Sequence, residues 1–576
     1  MKCFSKPFIV AILAASTRIS AFALGNQHRL GLDIVLGTGN AEHHPSRPRC
    51  YQPRPIDPSG DGLRSSKDLF SGSKMLDLMV DRHKALVQIP SICYDDLGGV
   101  DDDDRWEPFS KIPGVLEEKY PTVHKYIVPE KINKYGLVYT VHGADDDLKP
   151  ILLTAHQDVV PVESETLDDW EHPPFGGYYN ETDGYLWGRG ASDDKSAITA
   201  LMSALESLLS QEEYKPRRTV IFAFGFDEEC SGTRGAGEIS KYLEEQYGED
   251  GIAVILDEGG AGLQNLGGTL YALPAVYEKG YLDVWFNLSV VGGHSSVPTP
   301  HTAIGIMSEV ITTLEHNPFR PEIERNGPVH QALTCLAQYS PHALPELTRL
   351  VRWGNLDGAA HLLAGLSRDT QYTIQTSQSV NIINGGQKIN ALPEFVTVGV
   401  NHRFAPQDTI GDIQHRIVHL VENIARKYDL RFEPFEDDED YKEYLMTNGL
   451  SHQCDKARNL WKPIYNGTLS VEVKKKSCIT PKSPTSGPVW NTLAGTIRYT
   501  YADEASTVVA APGAMTGNTD ARHYLNLSKN IYRWSPGSLK SFSNIHTVNE
   551  RLLMSEHVNM VKFYYDFIRN FDQAKI

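Results

Sequence analysis

Cysteine is scarce, with 7 in a chain of 576 residues. Cys3 lies in the first apolar stretch, while Cys50, Cys93, Cys230, Cys335, Cys454 and Cys478 are widely scattered. That spacing excludes a small disulfide-built scaffold; one or two bridges could form, but their pairing cannot be assigned from spacing. Long apolar runs are missing as well. After the N-terminus, no segment supplies the roughly 20 apolar residues that a bilayer-spanning helix needs. Basic blocks are also absent: Lys and Arg number 55 against 73 Asp and Glu, a formal net charge of −18. With no run of cations to track a phosphate backbone, nucleic acid is not an expected partner. No internal repeat is visible. The remainder is 40% hydrophobic and 22% charged, a mixture typical of a soluble globular protein.

The opening residues place Lys2 and Lys6 before an apolar stretch, followed by Ala21-Phe22-Ala23 as a small-x-small cleavage site. Residues 1–23 therefore read as a secretory signal peptide. The alternative, an uncleaved signal anchor, is weakened by Arg18, which interrupts the stretch early. Asn180, Asn287, Asn466 and Asn526 each open an Asn-x-Ser/Thr sequon, consistent with that route. Residues 24–66 are rich in Pro, Gly, His and Arg and read as a linker or tail. A helical periodicity then runs to Pro90 and opens the globular body. The run Asp101 to Asp104 lacks the glycine and distal glutamate of a calcium loop and reads as a solvated acidic turn.

Between residues 134 and 260, apolar strands such as ILLTAH, TVIFAFGF and IAVILDEGG alternate with amphipathic helices. This predicts an α/β fold with a mainly parallel sheet covered on both faces, whose ligands bind beyond the carboxyl ends of the strands. From about 280 the strands lengthen and alternate, as in YLDVWFNLSVV and FVTVGVNHRF. The expected organisation is a first catalytic part over 67–279, an inserted α+β module over 280–440, and a return to the first domain over 441–576.

Candidate chemistry gathers at the strand ends. His156 and Asp158 close ILLTAHQD; the carboxylate can fix the imidazole tautomer, a common arrangement behind a metal-bound histidine. In GRGASDDKSA, Asp193 and Asp194 stand at a helix start and serve equally as capping residues or ligands. Glu228 and Glu229 follow a buried strand together, where their repulsion calls for a cation or a shared proton. One of them can bind metal while the other takes a proton from water. Asp257 and Glu258 end the next strand. Each of these points is separated from the next by about one strand–helix unit, which collects them along one sheet edge. Imidazole and carboxylate donors without thiolates suit zinc, with manganese or cobalt as substitutes.

The ordered set HQD, GRGASDDK, DEE, DEGG and a late HTVNE resembles the co-catalytic zinc peptidases that include aminoacylase and carboxypeptidase S. The resemblance covers about residues 67–576 and is strongest to the fungal carboxypeptidase S, or Gly-X carboxypeptidase, branch. It implies two zinc ions per subunit, bridged by Asp193, with His156 and Asp257 on one and Glu229 and His546 on the other. Glu258 is an alternative to Asp257. Glu228 would be the general base and Asp158 the residue orienting His156. It further implies that the second module is a lid, which in many members forms a homodimer. His294 would help stabilise the oxyanion, and Asn390, Arg403, Thr519 and Arg522 would contact substrate. Arg403 is the preferred clamp for a terminal carboxylate, since guanidinium grips carboxylate bidentately; a surface ion pair is its plain alternative.

The activity so implied is hydrolysis of the C-terminal bond of short peptides. The runner-up is an N-acyl amino acid amidohydrolase or synthase, and a non-catalytic peptidase-like binding protein is the remote alternative. Carboxypeptidase S relatives suggest a vacuolar lumen; the leader equally permits export, or a signal anchor in the vacuolar membrane.

Overall fold

The computed structural model describes residues 49–450, 464–503 and 506–576. The expected leader and residues 24–48 of the expected tail lie outside the described residues. No helix among the described residues is long and apolar enough to cross a membrane.

One large mixed sheet organises the molecule. Its strands run in the order Glu130–Ile132, Gly136–Val141, Val220–Gly225, Ile151–His156, Val254–Leu266, Ile531–Ser538, Ala275–Glu278 and Gly513–Met515. Ile151–His156 lies parallel to both of its neighbours, and Val254–Leu266 pairs in parallel with Ile531–Ser538. Every residue of Ile151–His156 and Val220–Gly225 is buried, which explains why these strands read as continuous apolar runs rather than alternating ones. Helix Lys195–Leu209 is buried almost all round. It packs with Met554–Gln573 and Ser73–Val87 against the sheet, so a helix that is apolar on every side finds a partner on every side.

The second module is a five-stranded sheet in the order Ser377–Gly385, Phe395–Phe404, Gly280–Ser289, Thr468–Ser477 and Arg431–Pro434. Residues of Gly280–Ser289 alternate between buried and half-exposed along most of the strand. Helices Ala303–Glu315 and Ile410–Lys427 supply the opposing apolar layer through Ile306, Met307, Val310, Ile413, Ile417 and Val421.

Three expected boundaries change. The lid sheet continues to Ser477 instead of ending at 440, because Thr468–Ser477 pairs along Gly280–Ser289. Helices Pro328–Tyr339, Pro345–Trp353 and Leu356–Ala364 belong to the catalytic core rather than the lid, since Leu333, Leu336, Leu347, Val351 and Leu363 are buried in its apolar cluster. The expected tail over 24–66 is a packed arm from residue 49 onward. Cys50 is bonded to Cys335, Gln52 exchanges hydrogen bonds with the Ala510 backbone, and Asp61 pairs with Arg569. Proline and glycine density marked the lack of regular structure there, not a lack of packing.

Within the helical layer, the rings of His83 and His557 stack 5.1 Å apart. Both reach the Thr199 hydroxyl, at 3.0 and 2.9 Å, and His83 Nε2 lies 2.9 Å from the Ala191 carbonyl oxygen. Burial pushes the pKa of His83 down to about 4 and that of His557 well below its usual value. The fold therefore holds both rings neutral, whereas the unfolded chain protonates them below about pH 6.5. Stability contributed by the neutral pair is complete above that pH and is lost as pH falls towards 4, by about 3 kcal/mol from His83 alone. Urea unfolding at pH 7 and pH 4 should show this loss, and His83→Gln should flatten the dependence; an unchanged slope would refute the assignment.

Candidate metal centre

The parallel register brings the carboxyl ends of three strands side by side. His156 ends its strand opposite Gly225, two residues before Asp227-Glu228-Glu229, while Leu153 pairs with Leu256 just ahead of Asp257-Glu258. His156 is almost wholly buried. Its Nδ1 lies 3.3 Å from Asp158 Oδ1 and 3.1 Å from the Asp158 carbonyl oxygen, leaving Nε2 to face the cluster. Asp158 also accepts the backbone N–H groups of Glu228 at 3.1 Å and Glu229 at 2.9 Å. One buried carboxylate thus orients the ring and fixes the turn bearing the two glutamates.

Asp193 occupies the middle. Its Oδ1 lies 3.1 Å from His156 Nε2, and its Oδ2 lies 3.1 Å from His546 Nε2. Glu258 Oε1 approaches His156 Nε2 to 3.5 Å, and Glu229 Oε1 approaches His546 Nε2 to 2.9 Å. Two donor sets result, His156–Asp193–Glu258 and Asp193–Glu229–His546, each with its ligand atoms within 4.8 Å of one another. They share Asp193, one oxygen facing each histidine. Glu228 groups with His156 and Glu229 on the same scale.

Asp257 is not a member of either set. It lies one residue past the last paired residues of its strand and Ile151–His156, and its oxygens accept the Thr154 hydroxyl at 2.6 Å and the Ala521 N–H at 2.7 Å. Successive strand residues point to opposite faces, so the neighbouring Glu258 turns to the cluster. Of the two expected alternatives, the geometry places Glu258 and not Asp257 in the cluster. Sequence alternation showed that only one of the pair could face the site, but not which.

The charges are mutually dependent. Burial disfavours protonation of His156, but hydrogen bonds to Asp158, Asp193 and Glu258 outweigh it and hold its pKa well above the usual value. Burial acts likewise on His546, yet Asp193 and Glu229 raise it to about 11. Burial and the Asp193 charge push Glu258 up to about 8, and burial raises Glu228. Without a cation the site therefore retains protons, which divalent metal ions would replace on binding.

The remaining expected residues divide. Arg403 is mostly buried, donates from Nη1 to Asn518 Oδ1 at 2.6 Å, and sits over the Tyr281 ring at 5.2 Å. Besides burial and the nearer Asp283 and Tyr281, the charges of Arg522 and Glu228 act on it. Arg522 donates to the Ser231 carbonyl at 2.7 Å. Arg522 thus borders the turn that carries the glutamates, while Arg403 is held by Asn518. Thr519 does not face a ligand: it is fully buried, and its hydroxyl donates to Glu278 Oε1 at 2.6 Å while accepting the Ala521 N–H. It caps a turn, which corrects its expected contact with substrate. His294 and Asn390 are exposed; His294 pairs with Ala391 on the short ribbon of Gly293–His294 and Ala391–Leu392, and Asn390, just before that ribbon, accepts the Ser295 N–H at 3.1 Å. Among the described residues, His294 bonds to Ser296 and not to the cluster. Glu550, at the end of the HTVNE motif, had no spacing rule to single it out, yet it touches the Asp193 turn directly.

A parallel α/β sheet that collects histidines and carboxylates at its carboxyl edge, with a free glutamate beside them, defines a metal-dependent hydrolase. The profile described as "Peptidase family M20/M25/M40" matches residues 152–570, and the chain belongs to that family. An uncharacterized carboxypeptidase of Schizosaccharomyces pombe is 39% identical over 529 residues, covering 90% of this chain and 84% of its own. Carboxypeptidase S of Saccharomyces cerevisiae is 35% identical over 539 residues, covering 91% and 89%. Mouse N-fatty-acyl-amino acid synthase/hydrolase PM20D1 is 29% identical over 501 residues, covering 85% and 87%. Among solved structures, human carnosine dipeptidase 1 aligns with TM-score 0.56 at 14% identity, over 89% of this chain and 99% of that one. The M20 family metallo-carboxypeptidase Sso-CP2 from Sulfolobus solfataricus aligns with TM-score 0.53 at 15% identity, over 87% and 100%. These two likenesses bear on the fold.

The geometry separates the two acidic neighbours experimentally. Glu258→Gln should lower bound metal measured by elemental analysis after dialysis, whereas Asp257→Asn should retain a content near that of the parent. The reverse pattern would restore Asp257 as the ligand.

Proposed function

We propose that the protein is a zinc-dependent carboxypeptidase that removes the C-terminal residue of short peptides of the Gly-X type. The observation that carries this reading is the pair of donor sets sharing Asp193, with Glu228 beside them. His156, Asp193 and Glu258 would hold one zinc ion, and Asp193, Glu229 and His546 the other. Imidazole with carboxylate oxygens is a donor set that zinc accepts. Bound there, zinc would supply the positive charge that acidifies water and polarises the scissile carbonyl.

The chain's own groups do the rest. Glu228 accepts the proton of the attacking water and returns it to the leaving amine. Asp158 holds His156 in the tautomer that leaves Nε2 free. Arg403 and Arg522 bind the substrate's terminal carboxylate, which selects a free C-terminus. Glu228→Gln should keep zinc and lose at least about 100-fold in turnover. N-blocked dipeptides should be cleaved, and a chelator should abolish cleavage until zinc is returned. Near-normal turnover in the variant, or purified protein that neither contains zinc nor responds to it, would refute the reading.

A second reading, an N-acyl amino acid hydrolase or synthase, is favoured by the PM20D1 likeness. Both substrates present an amide beside a free carboxylate. The ratio of dipeptide to fatty-acyl amino acid hydrolysis decides between them.

The same reading extends to compartment and assembly. Cys50–Cys335 and Cys93–Cys230 are both bonded, which supports an oxidising, secretory-route compartment ending in the vacuole or outside the cell. The lid's edge strand exposes Ile382 and Ile383, which supports a homodimer. Glycosidase treatment of the native protein should sharpen or lower its gel band, and sedimentation should give twice the chain mass. An unglycosylated monomer would refute both extensions.

A further inference from the structure

Two loops that supply ligands to the cluster come from opposite ends of the catalytic domain, Gly188 to Asp194 and Asn544 to Glu550. Glu550 joins them. It is fully buried. Its Oε1 accepts the backbone N–H groups of Ser192 at 2.9 Å and Asp193 at 3.2 Å, while Oε2 pairs with Arg189 Nη1 at 2.6 Å. The backbone follows the same path: Gly188 N–H donates to the Glu550 carbonyl, and the Ser192 hydroxyl to that of Arg551, both at 2.9 Å. Arg189 in turn donates to the Thr547 carbonyl at 3.3 Å and lies over the Trp170 ring at 5.5 Å. Asn549 continues the latch, accepting the Glu171 N–H at 2.8 Å.

His546 stands four residues before Glu550 in a loop where Asn544, His546 and Asn549 all have positive φ, at 59°, 60° and 64°. A non-glycine residue keeps that conformation only where its surroundings impose it. Glu550 fixes both ends of the constraint, the peptide carrying the shared Asp193 and the loop carrying His546. The donor set His156–Asp193–Glu258 has two members on adjoining sheet strands; Asp193–Glu229–His546 has none within a sheet strand. Its geometry depends on loops, and therefore on what ties the loops together.

We propose that Glu550, without touching metal or substrate, is a positioning residue that sets the zinc affinity of the Asp193–Glu229–His546 position. The inference rests on the two-zinc reading above. Residues behind metal ligands typically govern affinity by 10–100-fold, and the effect here falls chiefly on one of two sites.

The test is zinc titration of the metal-free, full-length protein, comparing the parent with Glu550→Gln and with the pair Arg189→Met/Glu550→Gln. The single variant preserves volume; the double variant leaves no unpaired buried cation and so guards against loss of fold. Circular dichroism of the metal-free proteins reports folding independently. The parent should take up two zinc ions. In a folded variant, one should bind with an affinity within a few-fold of the parent and the other roughly 10–100-fold more weakly. Turnover should recover at saturating zinc with KM unchanged. Two parent-like affinities in a folded variant, equal weakening of both sites, or turnover that stays low with both sites filled would each overturn the proposal. A parent that binds no zinc would instead refute the two-zinc reading itself.

Discussion

Carboxylates that repel one another are held together at the carboxyl edge of the buried sheet, and that repulsion governs the site. Asp193, Glu229 and Glu258 surround two imidazoles, with Glu228 behind them. In low-dielectric surroundings such a group persists only with protons or cations to balance it. The histidines provide part of the balance, which is why both have raised pKa values despite burial. In the proposed mechanism divalent cations supply the remainder without using Glu228, which leaves one carboxylate to move protons. The geometry of catalysis is thus a consequence of where charge can be neutralised.

The scaffold keeps that balance rigid through buried groups turned away from the donor sets. Asp158 serves His156 and two backbone amides at once. Asp257 ties the sheet to the turn at Ala521, and Glu278 receives both Thr519 and Arg533. Asp158 secures the turn that carries Glu228 and Glu229, and Asp257 anchors the strand end that carries Glu258. Breaking such a buried partnership leaves an unsatisfied charge and costs far more than a surface pair would.

Much of this was legible from residues alone. Continuous apolar strands gave the parallel sheet, and the acidic and imidazole groups at their ends gave the site, because a parallel strand must deliver its last residues to a common edge. The lid sheet was visible in the alternation of Gly280–Ser289. Its extent was not, since Thr468–Ser477 is separated from its partner by the long excursion through Pro328–Ala364, helices whose apolar faces are satisfied by the other domain. Local pattern reports that a face is apolar, never which surface covers it. Thr519 was misjudged for the same reason: a hydroxyl in a polar motif reads alike whether it meets a ligand or Glu278.

The sequence by itself determined which acidic and imidazole groups gather at the strand ends around His156, Glu229 and Glu258, because these follow from periodicity and from the chemistry of each side chain. His546 came only from the family resemblance. Only the tertiary structure decided that Glu258 faces the cluster while Asp257 faces Thr154, that Asp193 offers one oxygen to each histidine, and that Glu550 joins two distant loops. Those choices depend on which strands lie side by side and in what register. Contacts between residues hundreds of positions apart set that register, and no local pattern encodes it.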